Sequence, residues 1–392
     1  MKQQILAEID GIAWDRFFHA YQVATDTPGH LKALLGDDEK AASTAADHLW
    51  SAILHQGTVW PATAPVARIA ARMLAIPEMR EGALTFLKDV AAAVDLADAV
   101  PELRARAYPA VPESASAIDT WLARYLAEDE DGQVDLWTED GETGDLVLTR
   151  AALDCYDALP DLFDPVAELL DDPDADVRTA AWAAAAPLLR HPATAPRAAG
   201  LRGRLEAQAH ATGSVEARAS LLLDLGELGG EPRAWLADPD PAVRTAAALA
   251  PALADDPHAL DVLVDATRSP RAFDRLSALP RFGGEPPRWT LVAVLCARVM
   301  DFAALYESAA AAVPLGFRLA PCPDLGPYLR VAFPEGLPEA PTAQQSAFAR
   351  DVAARDDLWD AVNGNRKITF ARLGLPDDRE AWQRLGARGT VG

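Results

Sequence analysis

The chain has 392 residues, half of them hydrophobic and 24% charged, with a net charge of −23. This suffices for two or three ordinary domains or one elongated repeat array, and it is the composition of a folded rather than a disordered chain. No apolar run reaches the ~18 to 20 residues that span a bilayer, and the acidic balance disfavours nucleic acid, which calls for a basic surface.

The N-terminus, Met1 to Ile5, carries one Lys and has no continuous apolar stretch before Glu8 and Asp10. No signal peptide is expected. Residues 1–24 read as helix. A second helix spans Ala42–His55 and should stop at Gly57, a residue type suited to the position just past a helix end. Pro61 to Leu74 starts another, and 78–94 and 113–127 follow. Trp121, Leu122, Tyr125 and Leu126 give the last one its apolar stripe.

Residues 128–145 break the pattern. They are acidic, contain Gly132, Gly141 and Gly144, and show little periodicity. They read as an exposed acidic loop, with a short hairpin near Val134–Trp137 as an option. From Glu128 to Asp176 there are 18 acidic residues and one basic one, Arg150. A solvated surface explains such a run, and so does an acidic face that attracts a basic partner.

Beyond it the chain repeats. Asp172-Pro173-Asp174-Ala175-Asp176-Val177-Arg178-Thr179-Ala180-Ala181 recurs 66 residues later as Asp238-Pro239-Asp240-Pro241-Ala242-Val243-Arg244-Thr245-Ala246-Ala247. A weaker copy runs from Gly213 to Ser220, with Arg218 at the Arg position, and a degenerate one from Gly36 to Ala42. Asp174 or Asp176 can cap the helix that follows. Val177, Ala181, Ala184, Ala185 and Leu188 fall on one face of it, and Pro187 should kink or end it. Pro165–Leu170 reads as its partner helix. Two helices per unit cannot bury their apolar faces alone, so neighbouring pairs must stack.

These segments resemble HEAT-like repeats of the PBS-lyase type found in bacterial proteins. The resemblance is specific for Leu162–Leu189 and Pro232–Leu253, and the His48–Leu74 stretch is similar to the opening repeat of such proteins. It implies an all-α fold, a right-handed α-solenoid with a helical C-terminal cap. It also implies Asp–Arg ladders at the turns, which Asp174 with Arg178 and Asp240 with Arg244 match. The expected layout is N-terminal repeats over 1–127, the acidic loop, central repeats over 146–335 and a cap over 336–392.

Further helices are expected over 256–268, 270–280, 286–299, 303–312 and 324–332. Pro-rich joints lie at Gly283–Pro287, Pro314–Pro323 and Pro334–Pro341. In the cap, Ala343–Val362 leads to an Asn363-Gly364-Asn365 turn, and a last helix follows Leu373–Pro376 through Leu385.

Chemical motifs are missing: no P-loop, no dinucleotide-binding glycine fingerprint, no H-E-x-x-H, C-x-x-C or G-x-S-x-G. No cofactor or metal site is expected. His48 and His55 are seven apart, whereas ligands on one helix sit three or four apart, so packing and end-capping account for them. Cys155, Cys296 and Cys322 are widely separated and odd in number, as suits reduced thiols of a cytoplasmic protein.

The binding residues singled out are Trp137, Glu139 and Asp140 in the acidic segment, Trp182 beside the first clear repeat, and Arg178 and Arg244. Trp137 is either a recognition tip or folds back onto the body. Trp182 is either a surface contact or core, and the two Arg are repeat-ladder residues before they are ligands. The function expected is a non-catalytic scaffold or inhibitor for a basic protein, of which an immunity-type neutraliser of a basic toxin is a concrete form. The alternative is a HEAT-like DNA-repair glycosylase, which needs a basic groove with a catalytic acid and aromatics. A bilin-lyase-like role rests on repeat analogy alone.

Overall fold

The computed structural model describes residues 1–96, 99–268, 275–282, 286–316, 320–360 and 363–388. They fall into two units, Met1–Leu205 and Glu206–Gly392. Both are helical, and among the described residues no strand forms; only two isolated bridges occur, Phe18 with Val23 and Pro334 with Gly336. This division does not coincide with the boundaries expected after 127, 145 and 335. No described helix is long and apolar enough to cross a membrane.

Unit 1 holds α1 (Lys2–Gly11), α2 (Thr27–Leu34), α3 (Glu39–His48), α4 (Thr63–Met73), α5 (Arg80–Ala93), α6 (Val100–Ala107), α7 (Pro112–Ala127), α8 (Glu130–Ala167) and α9 (Ala175–Leu188). α4 packs on α5 and α8 on α9, and the two pairs meet through α4 against α8 and α5 against α9. Small Ala side chains on α9 allow that approach: Ala181 and Ala183 to Ala186 are all buried, around a fully buried Trp182. α10 (Ala198–Ala211) carries the chain across the division.

The helix expected over 1–24 stops at Gly11, because the Trp14 indole N–H donates to the Ile9 carbonyl (2.9 Å) and ends the ladder there. α3 begins at Glu39, under an Asp38 cap, and widens into a π-turn over Leu49–Ile53. The helix ends there, short of the stop expected at Gly57; beyond it Gln56 (φ 51°) and Gly57 (φ +76°) both take the left-handed region, which Gly57 adopts without strain.

The largest correction concerns 128–145. The segment is helical, without the loop or hairpin expected, and runs on as α8 through the segment read as a separate partner helix before Asp171. Gln133, Leu136, Gly144 and Val147 form a buried stripe at helical spacing, while the acids take the solvent side. Asp129 starts the helix by accepting from the Gly132 N–H (3.1 Å). The one irregularity is Asp140 (φ −148°, ψ 60°), whose carboxylate then accepts from the Thr143 N–H (3.2 Å) and restarts the turn.

The repeat has one hydrogen-bonding plan. Asp174 caps α9 through the N–H groups of Asp176 (2.9 Å) and Val177 (3.4 Å). Unit 2 continues it with α11 (Val215–Glu227) and α12 (Pro241–Ala248), where Ser214 accepts from Ala217 (3.1 Å) and Asp240 from Ala242 (2.8 Å). The following Arg folds back six residues onto a carbonyl: Arg178 to Asp172 (2.5 Å), Arg218 to Thr212 (2.7 Å) and Arg244 to Asp238 (2.6 Å). The degenerate copy keeps the cap at Asp38, with Ala42 at the Arg position. The ladder implied by the resemblance therefore differs: Arg178 and Arg244 serve carbonyls of their own turns. Ion pairs to other segments use the first Asp of each motif, Asp172 with Arg80 (2.8 Å) and Asp238 with Arg218 (3.8 Å), and in the later copy also the second, Asp240 with Arg275.

Unit 2 goes on through α13 (Pro257–Arg268), α14 (Pro287–Arg298), α15 (Phe302–Leu315), α16 (Pro321–Ala332), α17 (Ala343–Ala354), α18 (Gly364–Arg372) and α19 (Arg379–Arg388). Its last part closes on an aromatic core of Phe333, Phe348, Phe370 and Trp382. The helix expected to reach Val362 stops at Ala354, and Asn363 opens α18 by accepting from the Arg366 N–H (3.2 Å). Residues 270–274 of the helix expected over 270–280, residues 283–285 of the Gly283–Pro287 joint and residues 317–319 of the Pro314–Pro323 joint lie outside the described residues.

Candidate functional site

α7 and the first half of α8 pack side by side. Between them lies a pocket of about 700 Å³, with Trp121 and Leu136 in its apolar lining and Glu113, Arg124 and Asp140 among its polar residues. Trp121 is stacked on Tyr125 (5.3 Å, 10°), which in turn packs on Phe18 (4.3 Å). This aromatic column holds the pocket wall. The Trp121 indole N–H is buried without an acceptor among the described residues.

Of the residues singled out from the sequence, Asp140 lines the pocket. Glu139 is exposed and paired with Arg124 (3.0 Å), which also reaches Glu128 (3.5 Å). Trp137 is half-buried and folds back edge-on against Trp121 (4.9 Å, 74°), so it is a wall of the aromatic cluster and not a projecting tip. A Cβ at Gly144 would overlap the Trp137 ring. Gly144→Ala is therefore expected to push Trp137 outward and to cost about 1–3 kcal/mol, read by urea unfolding together with a red-shifted tryptophan emission.

Trp182 lies in the core, fully buried, and is removed from the set of surface contacts. Arg178 is committed to its turn, and Arg244 does the same in unit 2. The structure brings Trp137, Glu139 and Asp140 together; Trp182, Arg178 and Arg244 serve the repeats.

A second cluster was not foreseen. The turn closed by the Phe18–Val23 bridge carries His19, the start of α2 carries Asp26 and Thr27, and the end of α3 carries His48. His19 Nε2 lies 3.0 Å from Asp26 Oδ1, and Thr27 Oγ1 lies 3.2 Å from His48 Nε2. His30 stacks on His48 at 4.1 Å, and His19 stands edge-on to it at 5.2 Å. His19 and His48 are both buried. Burial first, and then the neighbouring His30, lowers His48 to about 4, so its ring is neutral at neutral pH. Burial raises Asp26, but the hydrogen bond and charge of His19, the Gln22 hydrogen bond and the charge of His48 together hold it below the ordinary carboxylate range. His55, the partner considered from spacing, turns away to the Ser51 carbonyl (2.7 Å). The sequence signal was that His19, His30, His48 and His55, four of seven histidines, fall within the first 55 residues.

The thiols offer no nucleophile in the core. Burial pushes Cys155 well above its ordinary range and Cys296 up to about 12, so both stay protonated. Comparison with protein-family models, curated proteins and solved structures gives no match.

Proposed function

We propose that the chain is a non-catalytic protein-binding scaffold or inhibitor, acting in the cytoplasm, whose α7/α8 face takes a basic segment of a partner protein. The observation that carries this reading is the pocket itself: an apolar wall of Trp121 and Leu136 beside Glu113 and Asp140, with its α8 side in the most acidic stretch of the chain. A Lys or Arg stem packs on such a wall while its head meets the carboxylates. An immunity-type neutraliser of a basic toxin is the concrete form of this role. In this reading the helix pairs are HEAT-like repeats of a right-handed α-solenoid. Support comes from the shared cap-and-Arg turn at α9, α11 and α12 and from the packing of the α4–α5 pair on the α8–α9 pair.

Fluorescence anisotropy with a labelled Arg- and Leu-containing peptide tests it. Binding is expected at low salt and should weaken as salt is raised. The Glu113→Gln/Asp140→Asn variant should bind roughly tenfold more weakly, about 1.4 kcal/mol. Equal binding of a neutral control peptide, or unchanged affinity in the variant, would sink the proposal.

A further inference from the structure

The cluster at the start of unit 1 has the donors for a metal ion, where none is expected from the sequence. We infer that His19, Asp26 and His48 bind a single divalent transition-metal ion of the zinc type. One donor atom from each lies within 4.8 Å of the others. Two imidazole nitrogens and one carboxylate, with a position left over, is the ligand number and type of open zinc sites. Two of three donors being imidazole selects against calcium and magnesium, which take oxygen.

The surroundings make this a built site. The His19 turn is pinned to the π-turn after His48 by the Ala20 N–H on the Ala52 carbonyl (3.1 Å), so the two histidines are fixed relative to each other. Interruptions of this kind in a helix recur at functional sites. Gln22 Nε2 donates to Asp26 Oδ2 (3.0 Å), fixing the carboxylate while Oδ1 faces the histidines. Asp26 is also part of the lining of a pocket of about 460 Å³ between α2 and α3, together with His30 and Lys40. Asp26 is the one proposed ligand in that lining, which also includes Asp38.

Binding has a proton requirement. In the ion-free arrangement His19 Nδ1 accepts from the Tyr21 N–H at 3.3 Å, which places the ring proton on Nε2, facing Asp26. The ion takes the place of that proton. It leaves Nε2 and the ring carries it on Nδ1, at the expense of a long hydrogen bond from an exposed residue. Asp26 Oδ1 exchanges the His19 N–H for the ion.

Titrating Co²⁺ into the full chain after chelator treatment, followed by visible absorption, reads the site without any variant. One equivalent should bind with d–d bands that Zn²⁺ then abolishes. His19→Gln, Asp26→Asn and His48→Gln should each weaken binding at least about tenfold, whereas His55→Gln should leave it unchanged. Should one of these variants fail to fold, histidine-ring NMR of the wild-type chain decides: Zn²⁺ must shift His19 and His48 and spare His55. Absence of bands at saturating Co²⁺, or bands retained in folded His48→Gln, overturns the assignment. The site is independent of the α7/α8 face, so failure of either leaves the other standing.

Discussion

Arg288→Ala is expected to destabilise unit 2 by about 3–5 kcal/mol, one of the two largest single-residue losses in the chain. Asp324, at the start of α16, is fully buried. Its Oδ1 accepts from Arg288 Nε (2.8 Å) and Nη2 (2.5 Å) and from the Trp289 indole (2.9 Å), both residues of α14. Removing the guanidinium takes away two of the three donors on Oδ1 and leaves the Trp289 indole, and the cost is that of a buried carboxylate losing donors more than of the pair. Arg288→Met combined with Asp324→Leu should therefore recover most of the loss, because two apolar side chains replace two charges. Urea unfolding of the two single variants and the double variant measures both. A loss under about 1 kcal/mol for Arg288→Ala would mean that Asp324 is solvated or neutral there.

Trp182→Ala is expected to cost unit 1 about 3–5 kcal/mol. The ring sits where α9 meets its neighbours and is surrounded on its own helix by buried alanines, which cannot expand to fill the space it leaves. Arg204 lies over it at 5.9 Å, adding a cation–π contact. The folded fraction of this variant should still bind the basic peptide with wild-type affinity. Loss of binding with stability intact would return Trp182 to the binding surface, where its sequence position beside a repeat first placed it.

How far these features could be read from the sequence depended on how local their causes are. The cap at Asp174 acts within three residues, so it and the repeat it opens were legible; the Asp38 cap was not, and α3 starts three residues before the expected Ala42. The role of Arg178 and Arg244 was legible only as a turn residue: which acceptor each meets depends on the fold of the turn. The acidic segment was misread because its charge hides its periodicity. Gln133, Leu136, Gly144 and Val147 are a helical stripe, but few of them are strongly apolar. The glycines there were read as loop punctuation, yet Gly144 is space for Trp137. The histidine cluster was illegible for a different reason. His19 is 29 residues from His48, and only the packing of α2 on α3 and the pinned turn bring them together.

The most direct test of the binding role is hydrogen–deuterium exchange of the whole chain with and without the basic peptide. New protection is expected in α7 around Glu113 to Arg124 and in α8 around Leu136 to Asp140, the segments that line the pocket, and it should fade as salt is raised. Protection confined to other helices, or peptide binding with no change in these two segments, would contradict the account.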